Sequence, residues 1–194
     1  FSSFKTKAVL AGVFFLAWLP YLLVFSPGSP SIDLSFQLGQ YLEGEHSTHH
    51  PLFSTLIYGC IYSIGSAMGG GSANIGLLLI VLIQAIVLAC AFVFEVDALD
   101  RFLVPLSLKR IAICFFAFCP IFGIYSQWAV KDSLFMSAFV VFASMYALYV
   151  KDPLPFSKSK KAMFLFIVSA CVVGLLRNNA FYVVLFSLPF LVFL

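Results

Sequence analysis

The residues able to do chemistry in this sequence are few and fall in short clusters. Asp33 stands in SIDLSFQLGQYLEGEHSTHHPLF, where Gln37, Gln40 and Tyr41 follow at spacings that share one face of a short helix. His46, His49 and His50 come next, beside Glu43 and Glu45 and just before Pro51. Lys131 and Asp132 adjoin between two apolar runs, and Arg177 precedes Asn178 and Asn179 between two more. A carboxylate at a membrane surface can take a proton from a substrate hydroxyl. The planar fork of a guanidinium suits phosphate, and asparagine amides supply neutral hydrogen bonds for sugar hydroxyls. The plainer readings are structural: Ser31 or Asp33 caps a helix, and Lys131 and Arg177 anchor spans by snorkelling to water. His46 and His49 are candidate ligands for a divalent metal, although the cluster lacks a fixed tetrahedral spacing. His50, able to donate and accept near neutral pH, suits phosphate or sugar.

The elements that must position these residues are set by composition. Of 194 residues, 62% are hydrophobic and 10% charged, and the mean hydropathy is +1.07. A soluble domain carries about 25% charged residues, so this chain has too few charges to wet the surface of a soluble globular fold. Disorder needs the opposite balance. The runs 8–25, 75–94, 111–130, 133–150, 162–176 and 180–194 approach the roughly 20 residues that cross about 30 Å of hydrocarbon. The expectation is a single all-α transmembrane domain over 1–194, a polytopic helical bundle integral to a membrane and surrounded by membrane lipids. The net charge of +3 forms no patch of the kind nucleic acid requires, because the bases flank apolar runs. The five cysteines are scattered without a CxxC pair and read as packing residues. The first run, behind Lys5 and Lys7, is long for a signal peptide and is followed by Ser26-Pro27-Gly28-Ser29-Pro30. It is therefore expected to be retained as a span. A start at Phe1 and a stop at Leu194 inside an apolar run suggest a piece of a longer chain.

The segment 51–68 decides the topology. Ser54, Tyr58, Tyr62 and Ser66 recur every four residues, and Phe53, Leu56, Ile57, Ile61, Ile64 and Met68 fill the other side. Such a one-sided stripe predicts an amphipathic helix lying in the headgroup region within the first outer loop, with Pro51 at its start. If this helix does not cross and the N-terminus is cytoplasmic, Lys5, Lys7, Arg101, Lys109, Arg110, Lys151, Lys158, Lys160 and Lys161 share the cytoplasmic side. Only Lys131 and Arg177 fall outside, whereas a crossing helix would erase the bias. Asp33, His50, Lys131, Asp132, Arg177 and Asn178 then all reach the outer face, under a topology chosen without reference to them.

This order of motifs resembles the GT-C superfamily of membrane glycosyltransferases, which includes protein O-mannosyltransferases, lipid A aminoarabinose transferases and uncharacterised bacterial members. The matching elements are an acid early in the first outer loop (Asp33), a helix introduced by His50-Pro51-Leu52, a second outer acid in Lys131-Asp132, and Leu176-Arg177-Asn178 closing a span. Many relatives show Asp-Glu and His-Pro-Pro where this chain has Asp33-Leu34 and His50-Pro51-Leu52. The resemblance covers the N-terminal half of such an enzyme. It implies transfer of a sugar from a polyprenyl-phosphate sugar to an acceptor on the non-cytoplasmic face of a bacterial plasma membrane. It further implies that Asp33 acts as general base or orients the acceptor. Lys131, Arg177 and His50, helped by Asn178 and Gln37, would bind the lipid phosphate and sugar. Asp132 would position one of them or a metal.

Other classes fit the composition too. A transporter or flippase of a lipid-linked substrate would show broken helices and charges near midspan. Here the ionisable groups cluster at span ends, and Gln84 is an isolated polar group within a span. A non-catalytic assembly subunit would use the outer loop as a docking surface. Asp33→Asn separates these readings, since only an enzyme should lose turnover while keeping its fold.

Overall fold

A computed structural model describes residues 3–45 and 49–192. The chain is all-α, with helices α1 (Phe4–Val24), α2 (Ile32–Glu43), α3 (Leu52–Met68), α4 (Ala73–Arg101), α5 (Leu106–Phe118) and α6 (Pro120–Gln127). These are followed by α7 (Lys131–Lys151), α8 (Pro153–Lys158), α9 (Lys160–Leu176) and α10 (Ala180–Val192). Two dipeptides, β1 (Ser29–Pro30) and β2 (Trp128–Ala129), pair in parallel.

Three helices, α1, α4 and α7, are long and apolar enough to cross a membrane, and α5 with α6 makes a fourth if that bent pair counts as one span. The expected span 111–130 is thus not one helix. It bends by 46° at Cys119-Pro120, and its last residues leave the helix for β2. The cause is Pro120, which lacks an N–H and drives Cys119 into an extended conformation at φ −66°, ψ 120°. The expected spans 162–176 and 180–194 do form helices, α9 and α10, of 17 and 13 residues. At 1.5 Å per residue α9 reaches about 26 Å, a little short of the roughly 30 Å hydrocarbon core.

Burial follows the helical period. Leu10, Phe14, Trp18 and Leu22, four residues apart, form the inward stripe of α1. The first three pack in one cluster with Leu88, Phe92 and Val96 of α4, and Leu22 in another with Ile80, Val81 and Ala85. Aromatic rings dominate this core: Phe92 stacks on Phe116 with centroids 4.3 Å apart, and Trp18 donates its indole N–H to the Phe116 carbonyl at 3.1 Å.

The helix at 51–68 forms as expected, but its polar stripe does not face water. Ser54, Thr55 and Tyr58 are buried, while Leu56, Ile64 and Met68 are exposed. Gly65 backs directly onto Gly76, and Tyr58 meets Gln84, so α3 runs antiparallel along the first part of α4. Polar groups buried in an apolar bundle must find protein partners, and here Gln37 and Gln84 supply them.

Two poles result. Lys7 pairs with Asp97 at 2.8 Å, and Lys151 donates to the Arg101 carbonyl, so the N-termini of α1 and α9 and the C-termini of α4 and α7 share one end. The other end holds the C-termini of α1 and α9, the N-terminus of α7, and α2.

Candidate functional site

The site is built at that second end. Ser31 caps α2, accepting from the Leu34 N–H at 3.0 Å, which leaves Asp33 in the first turn, where the helix dipole favours a carboxylate. The chain reaches this cap through Gly28, whose φ of +123° and close approach to Val81 exclude a side chain. The β1–β2 pairing, extended by the Ser31 N–H donating to the Ala129 carbonyl at 3.1 Å, sets the start of α2 beside the start of α7. Gln84 secures the same place from below. Its amide faces the Tyr125, Ser126 and Trp128 carbonyls at 3.1, 3.3 and 2.7 Å, and the Tyr58 hydroxyl donates to the Val130 carbonyl at 2.8 Å. Gln84 is therefore not isolated. It occupies carbonyls released where α6 ends, and so fixes Lys131 and Asp132, which follow at once.

Lys131 is the centre of one wall. Its ammonium donates to Asp33 Oδ2 at 2.9 Å and lies 3.2 Å from His50 Nδ1. Since ammonium only donates, Nδ1 must carry the lone pair, which assigns the imidazole proton to Nε2. The electrostatics agree. The hydrogen bond from Lys131 holds the Asp33 carboxyl below the usual range, with burial opposing. Burial first, then the Lys131 cation, pushes His50 down and keeps it neutral near pH 7.

The facing wall is Arg177 with Asp132. Arg177 ends α9 in an extended conformation, its Nη1 is 3.3 Å from Asp132 Oδ1, and its guanidinium lies 5.4 Å from the centre of the Phe135 ring. That Asp132 oxygen is buried and receives no aligned hydrogen bond, so the contact is Coulombic. Between the walls lies an open cavity of about 600 Å3, lined by Asp33, His49, Lys131, Asp132, Arg177 and Asn178, together with Pro51 and Asn179. Residues from four separate stretches of the sequence thus meet in one cavity.

Other expected site residues fall elsewhere. His50 does not line the cavity: it is 5% exposed and sits behind Lys131, while its neighbour His49 reaches the wall. Gln37 is not a substrate contact either. It is completely buried and donates to Ser54 and Thr55 at 2.8 and 3.2 Å, and both hydroxyls donate to the Pro51 carbonyl. Gln37 therefore fixes the start of α3, and Pro51 with it. Tyr41 packs against Gly59, where any side chain would collide with its ring. His46 lies outside the described residues. Among the described residues, no group of three His, Cys, Asp or Glu side chains is placed to hold a metal ion. Tyr58 and Gln84, which support the site from below, were missed as a pair. The signal was present as single polar residues at buried helical positions in otherwise apolar stretches.

A family model described as a family of unknown function, DUF6020, matches residues 38–194. No curated protein and no solved structure matches the chain.

Proposed function

The chain belongs to the DUF6020 family, and we propose that it is an integral membrane glycosyltransferase. It moves a sugar from a polyprenyl-phosphate sugar to an acceptor at the face that carries the cavity. The observation that carries this reading is the sharing of Lys131 between Asp33 and His50 opposite the Arg177–Asp132 pair. Two cations suited to one phosphate, each resting on a carboxylate, stand beside amides that suit sugar hydroxyls. The order of motifs, similar to that of GT-C enzymes, supports the same chemistry. The excess of lysine and arginine at the opposite pole supports a cytoplasmic N-terminus and a non-cytoplasmic cavity.

The reaction follows from the pairings. When the donor phosphate takes Lys131 and Arg177, Asp33 loses the hydrogen bond that holds its proton affinity down. It then becomes the better base for the acceptor hydroxyl. The acceptor oxygen forms a bond to the sugar anomeric carbon, and the bond from that carbon to the phosphate oxygen breaks. Polyprenyl phosphate leaves with the electron pair, and the acceptor proton passes to Asp33. Lys131 and Arg177 stabilise the charge gathering on the departing phosphate. His50, neutral and accepting from the ammonium, orients Lys131.

The test is transfer of labelled sugar from a panel of polyprenyl-phosphate hexoses by the reconstituted protein. Asp33→Asn should lower turnover by about 10²–10⁴-fold while the protein still folds and inserts, and an active Asp33→Asn variant would sink the proposal. The bend between α5 and α6 favours a second reading, a transporter of the same lipid-linked substrate. That reading expects movement of the labelled donor between leaflets without any product.

A further inference from the structure

The opposite pole holds an arrangement that the proposed reaction does not use. There α1, α4 and α9 bring Lys7, Arg101 and Lys161 around a pocket of about 270 Å3. Among its described lining residues the carboxylate is Asp97, 2.8 Å from Lys7 and 3.7 Å from Arg101. Asp97 is 15% exposed and holds both cations at the rim, while the Arg101 side chain stays 63% exposed and open to a ligand. Three cations against one carboxylate leave the rim positive.

The floor of this pocket is apolar and includes Phe94 and Leu165. The same two side chains line a groove of about 590 Å3 between α3, α4, α7 and α9. On α9 the groove runs from Leu165 to Leu176, about 16 Å at 1.5 Å per residue. That is close to half of a roughly 30 Å hydrocarbon core, the depth of one leaflet. The hydroxyls of Ser137 and Ser169 in its wall are already spent on the Ser133 and Phe166 carbonyls, so the groove offers an apolar surface. The catalytic cavity shares no lining residue with it.

We propose that this pole binds an anionic phospholipid, with its phosphate on Lys7, Arg101 and Lys161 and one acyl chain in the groove. A free phosphate would use the cations and leave the groove unfilled. A neutral lipid would use the groove and gain nothing from the cations. With Asp97 offsetting one of the three bases, two net positive charges at the headgroup support a selectivity of at least about tenfold. The site does not depend on the transferase reading, and its test reads binding rather than turnover.

The full chain is purified in detergent and given dioleoylphosphatidylglycerol, dioleoylphosphatidylcholine or inorganic phosphate. Native mass spectrometry then reads retained lipid, and thermal unfolding reads the midpoint. Phosphatidylglycerol should be retained about tenfold more than phosphatidylcholine and should raise the midpoint, while inorganic phosphate leaves it unchanged. Arg101→Gln with Lys161→Gln should bring phosphatidylglycerol down to the phosphatidylcholine level. Val168→Trp, at a half-exposed groove position, should reduce retention of both lipids. Should the double variant fail to fold, Lys161→Gln alone should still lower phosphatidylglycerol retention about threefold. Equal retention of the two lipids overturns the proposal, as does retention that survives the Lys161 substitution. A midpoint rise with inorganic phosphate matching that with phosphatidylglycerol overturns it as well.

Discussion

The two poles of this bundle use charge in opposite ways. At the cavity pole each cation has its own carboxylate, Lys131 on Asp33 and Arg177 on Asp132, and the groups come from elements distant in sequence. At the other pole the bases outnumber the acids, and most sit in short connectors where an apolar run ends. An unpaired base beside a span is sufficiently explained by orientation in the membrane. A matched set held in place by buried amides and carbonyls is not, because ordering those side chains costs free energy that anchoring does not require. The difference teaches where to look for chemistry in a chain with so few charges.

The sharpest way to break this contrast is Lys131→Met. It removes the shared donor, leaves Asp33 and His50 without their partner, and should cost about 10²–10³-fold in sugar transfer. A variant with full activity would reduce the cavity pole to anchoring. Next in size is Gln84→Leu. It removes the amide from the Ser126 carbonyl, leaves the Tyr125 and Trp128 carbonyls to share the Ser133 hydroxyl, and should lower the unfolding free energy by about 2–3 kcal/mol, read by chemical denaturation in detergent.

Acidification should act on the cavity pole first. His50 is pushed below its ordinary value, so its contribution to stability is full above about pH 6.5 and is lost as pH falls through the lower folded value. Asp33, also held low, contributes fully above about pH 4 and loses that contribution as pH falls through its own depressed value. A stability profile between pH 7 and pH 5 should therefore slope downward towards acid, and His50→Gln should flatten it. A slope that persists in that variant would place the titrating group elsewhere. The smallest effect belongs to the basic pole. Lys158→Gln, at an exposed position, should change stability by less than about 0.5 kcal/mol and leave transfer intact. A loss comparable with that of Lys131→Met would erase the distinction between the poles.

Much of the site was legible from residue type and order. Asp33, Lys131, Asp132, Arg177 and Asn178 stand out because charge and amide groups are scarce in this composition, and all of them line one cavity. The assignment between neighbours was not legible. His49 and His50 are adjacent and chemically identical, and only the path of the backbone into Pro51 decides which faces the cavity and which lies behind Lys131. The inward turn of α3 was missed for a related reason. A polar stripe shows that one side of a helix needs hydrogen bonds, but water, a headgroup and a buried glutamine satisfy that need equally. Gln37 and Gln84 looked like a substrate contact and a stray polar group because their partners are backbone carbonyls and hydroxyls far away in sequence.

The sequence by itself determined that the chain is a bundle of apolar helices, some long enough to cross a membrane, where α1, α4 and α7 run, and which helix ends carry the ionisable groups. Those features follow from hydrophobicity summed over many residues, which no single contact can reverse. Tertiary structure alone decided that Pro120 breaks a span into α5 and α6, and that β1 and β2 pair. It alone brought Asp33 within 2.9 Å of Lys131, 98 positions away. Such placements depend on a few hydrogen bonds and close contacts between distant segments, and local composition carries no record of the partner.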